Sequence, residues 1–255
     1  KEDDSFRILH DDTHGVKVNP QLKPRDQFRC PSMAEQRVVV TLTKKAGMPS
    51  FALKGDAKAA HRIPRVARAD WGLQACAVGD ESEVWLNTVG TFGVATAGYF
   101  WGRLAAGAGR AWLTICEQVW LWQLLYADDY AWTAYGPDFA LSLVSTIVFY
   151  VTIGLPFSWG KFGGGLEYSW IGFGINLRDY STGLDESRRL WLVNWMTEII
   201  KSRKCLVRHF GDVLGRLQYA TTALEHVRPF LGPLYAWVAA TPGGAYAQLP
   251  DIVYL

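Results

Sequence analysis

Cysteine is scarce in this chain: among 255 residues there are four, at positions 30, 76, 116 and 205, and no two form a Cys-x-x-Cys pair. That scatter argues against a zinc site and against a disulfide framework, and it suits a reducing compartment. Charge of one sign is scarce as well. With 26 Lys and Arg against 24 Asp and Glu, the net charge is +2, too weak by itself to indicate a nucleic-acid partner. No internal repeat or low-complexity tract is present. The first residues are charged where a secretory signal would be apolar. The expectation is therefore an intracellular protein, cytoplasmic or nuclear, without a signal peptide, and a piece of something longer. Gly163-Gly164-Gly165 lacks the Lys-Ser/Thr ending of a phosphate loop and reads as a hairpin turn.

Apolar and aromatic residues are plentiful. Hydrophobic residues make up 49% and aromatics 14%, with 12 Trp, so a packed interior is within reach and wholesale disorder is excluded. Each Trp can fill a core or stack on a base, and core filling is the plainer use. From Phe139 to Phe157 there are 19 residues without a charge, about the length that spans a bilayer. Ser142, Ser145, Thr146, Thr152, Gly154 and Pro156 within it point to a helix packed beneath a sheet. A membrane anchor through 139–157 is the alternative.

Along the chain, residues 1–50 carry short apolar runs such as Arg37-Val-Val-Val-Thr-Leu-Thr43, broken by Pro20, Pro24, Pro31 and Pro49. They read as short strands and loops. Phe51–Asp56 reads as a strand ending in a carboxylate, 84–92 as an apolar strand, and Ala95–Gly107 as a helix of small residues. Val119–Tyr126 and Tyr130–Tyr135 read as two strands joined by a tight turn. In the last third, Ser187 is placed to cap a helix carrying Trp191, Trp195 and Ile199. A second helical pattern runs through Phe210, Leu214, Leu217, Leu224 and Val227 and closes at Pro229. Thr241-Pro-Gly-Gly244 reads as a linker.

The chemistry centres on Tyr126-Ala127-Asp128-Asp129. Two adjacent carboxylates at a hairpin tip repel each other, and they become sensible where a divalent cation neutralises them. Magnesium takes oxygen ligands, commonly one or two carboxylates plus substrate phosphates. A further carboxylate is needed, and Asp56 at the end of its own strand is the obvious supplier. A solvated Asp-Asp turn is the plain alternative for the tetrapeptide alone. His10-Asp11-Asp12-Thr13-His14 has metal-like composition, but Gly15 argues against the helix that would put both His on one face, so it reads as a turn.

The order of these segments resembles the reverse transcriptase family almost end to end, and most closely the retrotransposon branch that includes tyrosine-recombinase elements. Tyr126-Ala-Asp-Asp129 is similar to the family's Tyr-x-Asp-Asp box, and Asp56-Ala-Lys-Ala-Ala-His61 to its first catalytic box, 72 residues upstream (128 − 56). Phe92-Gly93-Val-Ala-Thr-Ala-Gly98-Tyr-Phe-Trp101 resembles the template- and nucleotide-contacting helix box. Gly154–Lys161 resembles the next box with its Lys, and Glu167–Phe173 the primer-grip hairpin. Phe6-Arg7-Ile-Leu-His-Asp11 resembles the fingers strand whose Arg meets the triphosphate. Two positions depart from the pattern. Gly98 stands where the family usually has Pro, and His61 where a Tyr or Phe screens out ribonucleotides, which bears on efficiency and sugar selectivity.

The resemblance implies an α+β right-hand polymerase: 1–50 part of the fingers, 51–180 the palm with the primer grip, 181–255 a helical thumb. It implies an RNA-directed DNA polymerase, a nucleotidyltransferase that extends a primer on an RNA or DNA template with deoxynucleoside triphosphates. Asp56, Asp128 and Asp129 would hold two Mg²⁺ ions (Mn²⁺ a possible substitute) roughly 4 Å apart. Asp129 would ligate less directly, and Lys161 would act as general acid. Arg7, Ala57, His61 and Gly93 would bind nucleotide, and Trp170, Gly172 and Phe173 would grip the primer. The basic residues of the last third would contact duplex backbone, or simply line an exposed helix face. No segment resembles an RNase H or integrase. A decayed copy that binds nucleic acid without polymerising is the alternative reading of the same boxes. No membrane association is expected, and the sequence leaves oligomeric state open.

Overall fold

The computed structural model describes residues 13, 17–24, 26, 29–77, 83–116 and 120–251. Arg7 and the His10–His14 segment apart from Thr13 lie outside them.

Residues expected to form short strands instead build the first helix, α1 (Met33–Ala46). Local signals at its ends override the β-branched run. Ser32 and Glu35 form a reciprocal capping box, the Ser32 N–H donating to Glu35 Oε2 at 2.7 Å. Gly47, at φ 63°, closes the other end in the left-handed conformation. Between the caps, Met33, Gln36, Val39, Val40 and Thr43 are buried, a helical spacing that the run of three valines obscures.

A four-stranded sheet follows, in the order β4-β5-β1-β6, from β1 (Ser50–Asp56), β4 (Leu121–Tyr126), β5 (Asp129–Tyr135) and β6 (Gly163–Gly165). β4 and β5 are antiparallel, with Tyr126 opposite Asp129, so the connection is the two-residue turn Ala127-Asp128. β6 is the triple glycine, a strand where a hairpin turn is expected. A Cβ on Gly164 would collide with the Ala52 carbonyl, so the close approach of two backbones explains the glycine. Short strands β2 (Ala75–Ala77) and β3 (Val84–Leu86) form their own antiparallel pair. Helix α2 (Ala97–Ile115) extends beyond the expected span.

Helix α3 (Phe139–Thr152) occupies the uncharged stretch. It buries Ser142, Leu143, Thr146 and Tyr150, and the hydroxyls of Ser145, Thr146 and Thr152 donate to carbonyls one turn back, as Thr146 does to Ser142 O at 2.6 Å. No helix among the described residues is long and apolar enough to cross a membrane.

The chain divides into two compact units. One comprises 1–30, 54–134 and 140–162; the other comprises 31–53, 135–139 and 163–255. The first has an aromatic centre. Tyr130 and Trp132 stack at 4.8 Å, with Tyr150 and Phe157 around them. Gln123 Oε1 accepts from both Trp132 Nε1 (2.8 Å) and Tyr150 Oη (2.7 Å), so the amide satisfies two buried donors at once.

The second unit holds the antiparallel sheet β7 (Glu167–Trp170), β8 (Phe173–Asn176) and β9 (Ser181–Leu184). Helices α4 (Glu186–Ser202), α5 (Val207–Ala220) and α6 (Leu231–Ala240) follow, with β10 (Lys204–Leu206) between α4 and α5. The cap of α4 is Asp185, whose carboxylate accepts from the Arg188 N–H at 2.8 Å; Ser187 instead donates to that carboxylate. The expected second helix breaks after Ala220 and resumes at Leu231. Cys205, Phe210, Leu214 and Leu249 form a core into which Trp195, Ile199 and Trp237 pack. Thr241–Gly244 is a return, not an exit: β11 (Tyr246–Gln248) pairs back onto β10, and Arg208 N donates to Gly243 O.

Candidate active site

Three chain segments converge on the end of β1. The Ala57 N–H donates to Asp128 O at 2.8 Å, which ties the strand end to the β4–β5 turn. On the other side the Ser158 N–H donates to Asp56 O at 2.9 Å, and Lys58 N to Pro156 O at 2.8 Å. A 3₁₀ turn at Trp159–Lys161 then brings the Lys161 ammonium back to Asp56 Oδ2, at 2.8 Å. The Asp56 side chain is 8% exposed and that of Lys161 65%. Asp56, Ala57, Asp128, Asp129 and Lys161 are therefore neighbours, although 105 residues separate the first from the last.

The turn itself is held in an uncommon shape. Ala127 has φ 51°, a left-handed conformation that costs a residue with a Cβ about 1–2 kcal/mol. The indole N–H of Trp101, buried in α2, donates to the Ala127 carbonyl at 2.7 Å. Sequence reasoning places Trp101 in a box but does not reveal this job; a buried Trp needs an acceptor, and no sequence spacing tells which.

The carboxylates feel one another. Burial, then the charges of Asp128 and Asp56, push the Asp129 carboxyl above its ordinary range, with Lys161 and Lys54 opposing. The hydrogen bond to Asp56 pushes the Lys161 ammonium up. Burial pulls His61 below its ordinary value against the attraction of Asp128. No group of three His, Cys, Asp or Glu among the described residues is arranged as a metal cage. The donors nonetheless fit magnesium in kind, because hard carboxylate oxygens are what it takes, and one or two suffice where substrate phosphates complete the shell.

His61 sits at the side of this cluster. The ring of Phe92 meets it edge-on at 4.8 Å, and a Cβ on Gly98 would lie 3.4 Å from its Nε2. Gly93, at φ 106°, is bracketed by Asn19, which donates to Gly93 O at 2.7 Å and accepts from Ala95 N at 2.8 Å. Nothing in the sequence pairs Asn19 with residues 74 positions away.

Trp170, Gly172 and Phe173 belong to the second unit. Trp170 and Phe173 are 3% and 1% exposed, so their rings serve its core. Ile171 and Gly172, both at positive φ (46° and 82°), form the tip of the β7–β8 hairpin, and Tyr219 of α5 donates to the Ile171 carbonyl at 2.9 Å.

No family model matches the chain, and no curated protein matches it in sequence. Solved structures do resemble it. One is a foamy viral protease-reverse transcriptase in complex with double-stranded DNA, at 15% identity and a TM-score of 0.67 over 100% of this chain and 42% of that one. A looser likeness, TM-score 0.49 at 12% identity, is to apo telomerase from Candida tropicalis, over 61% of this chain and 35% of that one. The chain spans about two fifths of the length of the foamy viral chain. The first likeness shows the fold: mixed helix and antiparallel sheet, the reverse-transcriptase polymerase fold.

Proposed function

We propose that this chain is the polymerase core of a reverse transcriptase, an RNA-directed DNA polymerase that extends a primer with deoxynucleoside triphosphates. The observation that carries the reading is the meeting of Asp56, the Asp128-Asp129 turn and Lys161 at one strand end, on a reverse-transcriptase-like fold. Crowding carboxylates at a turn of strained backbone is costly, and it gains a purpose where divalent cations are to be bound. The nucleic acid in complex with the foamy viral structure supports a primer–template as partner.

Asp56 and Asp128 would hold two Mg²⁺ ions, with Asp129 beside them and Mn²⁺ as a substitute. When bound, the metal lowers the pKa of a primer 3′-hydroxyl and neutralises the triphosphate. Lys161, kept protonated by Asp56, donates hydrogen bonds toward the leaving phosphate and supplies a proton there. His61, seated by Phe92, faces the sugar of the incoming nucleotide. The order of the boxes along the sequence is the ground for assigning the chain to the retrotransposon branch. The division into fingers (1–50), palm (51–180) and thumb (181–255) follows from the same order.

Primer extension on an RNA template with Mg²⁺, comparing the chain with Asp128→Asn, tests the reading. Template-dependent synthesis that the substitution reduces by about 10²–10³-fold, as loss of an electrostatic catalytic group does, is the expected result. Retained primer–template binding without synthesis would instead identify a decayed, non-catalytic copy.

A further inference from the structure

Helix α3 is apolar on two opposite sides, and only one of them is covered. Ser142, Leu143, Thr146 and Tyr150 are buried. On the other side of the helix Leu141, Val144, Val148 and Val151 are 67%, 60%, 57% and 47% exposed. A surface helix ordinarily turns charged residues to the water, and one that is apolar all round belongs under a cover. Here no charged residue occurs from 139 to 160. The four exposed side chains are spaced three, four and three residues apart, the repeat of a seam between two helices.

The hydroxyls beside this seam are already engaged. Ser145 Oγ donates to Leu141 O at 2.7 Å and Thr152 Oγ1 to Val148 O at 2.8 Å, both within the helix. Covering the face therefore strands neither donor. Three of the four residues are valines, whose χ1 a helix already fixes, so burial removes little side-chain freedom.

The face also selects its occupant. A charged partner would find no counter-charge on this helix, whereas a second copy of α3 presents the same neutral stripe. The stripe is symmetric about position 146. Set antiparallel, Leu141 meets Val151 and Val144 meets Val148, each contact occurring twice about a two-fold axis. That setting also opposes the two helix dipoles favourably. With each of the four side chains offering on the order of 100 Å² and the exposed Ala140 and Thr152 at the margins, two copies bury roughly 1,000 Å², the threshold of a specific interface.

We propose that the exposed face of α3 is the contact of an antiparallel, two-fold symmetric dimer of this chain. The dimer is independent of the polymerase reading, since none of its residues belongs to the candidate site.

Sedimentation equilibrium of the full chain, from about 1 to 200 µM, tests it, and a Kd of about 1–100 µM is expected from an interface of this size. Val144→Lys and Val148→Glu each bury an unpaired charge twice per dimer and are expected to weaken association at least about 100-fold. Mixed in equal amounts, the two variants bring the introduced lysine against the introduced glutamate, and the other contact is Val148 with Val144 as in the wild type. Association then returns to within about 10-fold of the wild type, which also shows that both variants are folded. Val193→Lys, at a valine 52% exposed on α4, leaves association unchanged. A wild type that stays monomeric at about 200 µM, an equal loss with Val193→Lys, or no recovery on mixing overturns the antiparallel dimer. So does a monomer that sediments with phosphatidylcholine vesicles, which assigns the face to a lipid surface instead.

Discussion

Lys161 and Asp56 form the most sharply testable pair in the site. Removing the ammonium with Lys161→Met leaves the Asp56 carboxylate, 8% exposed, beside Asp128 and Asp129 with its cation gone. A hydrogen bond to a charged group contributes about 1.5–3 kcal/mol. Because the lysine side chain is 65% exposed, solvent screening reduces this to about 1–2 kcal/mol. Asp56→Asn alone costs less, since it also relieves repulsion among the carboxylates. The double variant should therefore be more stable than the sum of the single losses implies, by the same 1–2 kcal/mol or so. Urea unfolding of the four proteins, in EDTA and low salt near pH 7, measures that coupling. The sign with pH follows from the raised Lys161 pKa. The stabilisation is fully present below the ordinary lysine value and is lost as pH rises through the folded one. A coupling below about 0.3 kcal/mol, the usual error of additivity between independent sites, would refute the pairing as an energetic feature of the protein.

Two further outcomes follow from the same unit. Tyr130 is fully buried and its hydroxyl has no hydrogen-bond partner among the described residues; burial pushes that hydroxyl far above its ordinary ionisation range. Tyr130→Phe keeps the stack on Trp132 and removes an unsatisfied group, so calorimetry should find the variant more stable by about 1 kcal/mol, a Tm rise of about 2–4 °C. Asp129, raised by burial and by Asp128 and Asp56, binds its proton more tightly folded than unfolded. The wild type therefore loses stability as pH rises from the ordinary value of 3.8 through the folded one. Asp129→Asn should melt higher than wild type near pH 7, with the gain fading to nothing as pH falls below about 4; a gain that grows on acidification would contradict the sign.

The unit that holds the candidate site was the more legible. Strand, two-residue turn and strand around Asp128 follow from aromatic-rich runs flanking a polar pair, and the observed register agrees. What the pattern hid was governed by end signals or by distant contacts. The three valines of α1 suggest a strand until Ser32, Glu35 and Gly47 are weighed as caps. Thr241–Gly244 has linker composition, yet backbone bonds to 207 and 208 turn it into a return. Asn19 at the Gly93 loop and Arg188 over Gly172 could not be read at all, because each depends on which remote backbone comes near.

The two departures from the family pattern gain meaning from their positions in space. Read along the chain, His61 and Gly98 are independent flaws. Folded, a Cβ at 98 would lie in van der Waals contact with His61 Nε2, and Phe92 from the same box meets the imidazole edge-on. The Gly90 backbone lies so close behind His61 that a Cβ there would collide with the His61 carbonyl. Decay distributes changes without regard to contact, whereas here the unusual ring and the unusual glycine share one seat. The carboxylates argue in the same direction. Burial and the charges of Asp128 and Asp56 lift the Asp129 carboxyl, and the turn that carries Asp128 holds a left-handed alanine, Ala127. A chain released from function gains stability by relaxing either feature. These features together are the ground on which an active polymerase, not a decayed copy, is proposed above, and primer extension decides between the two.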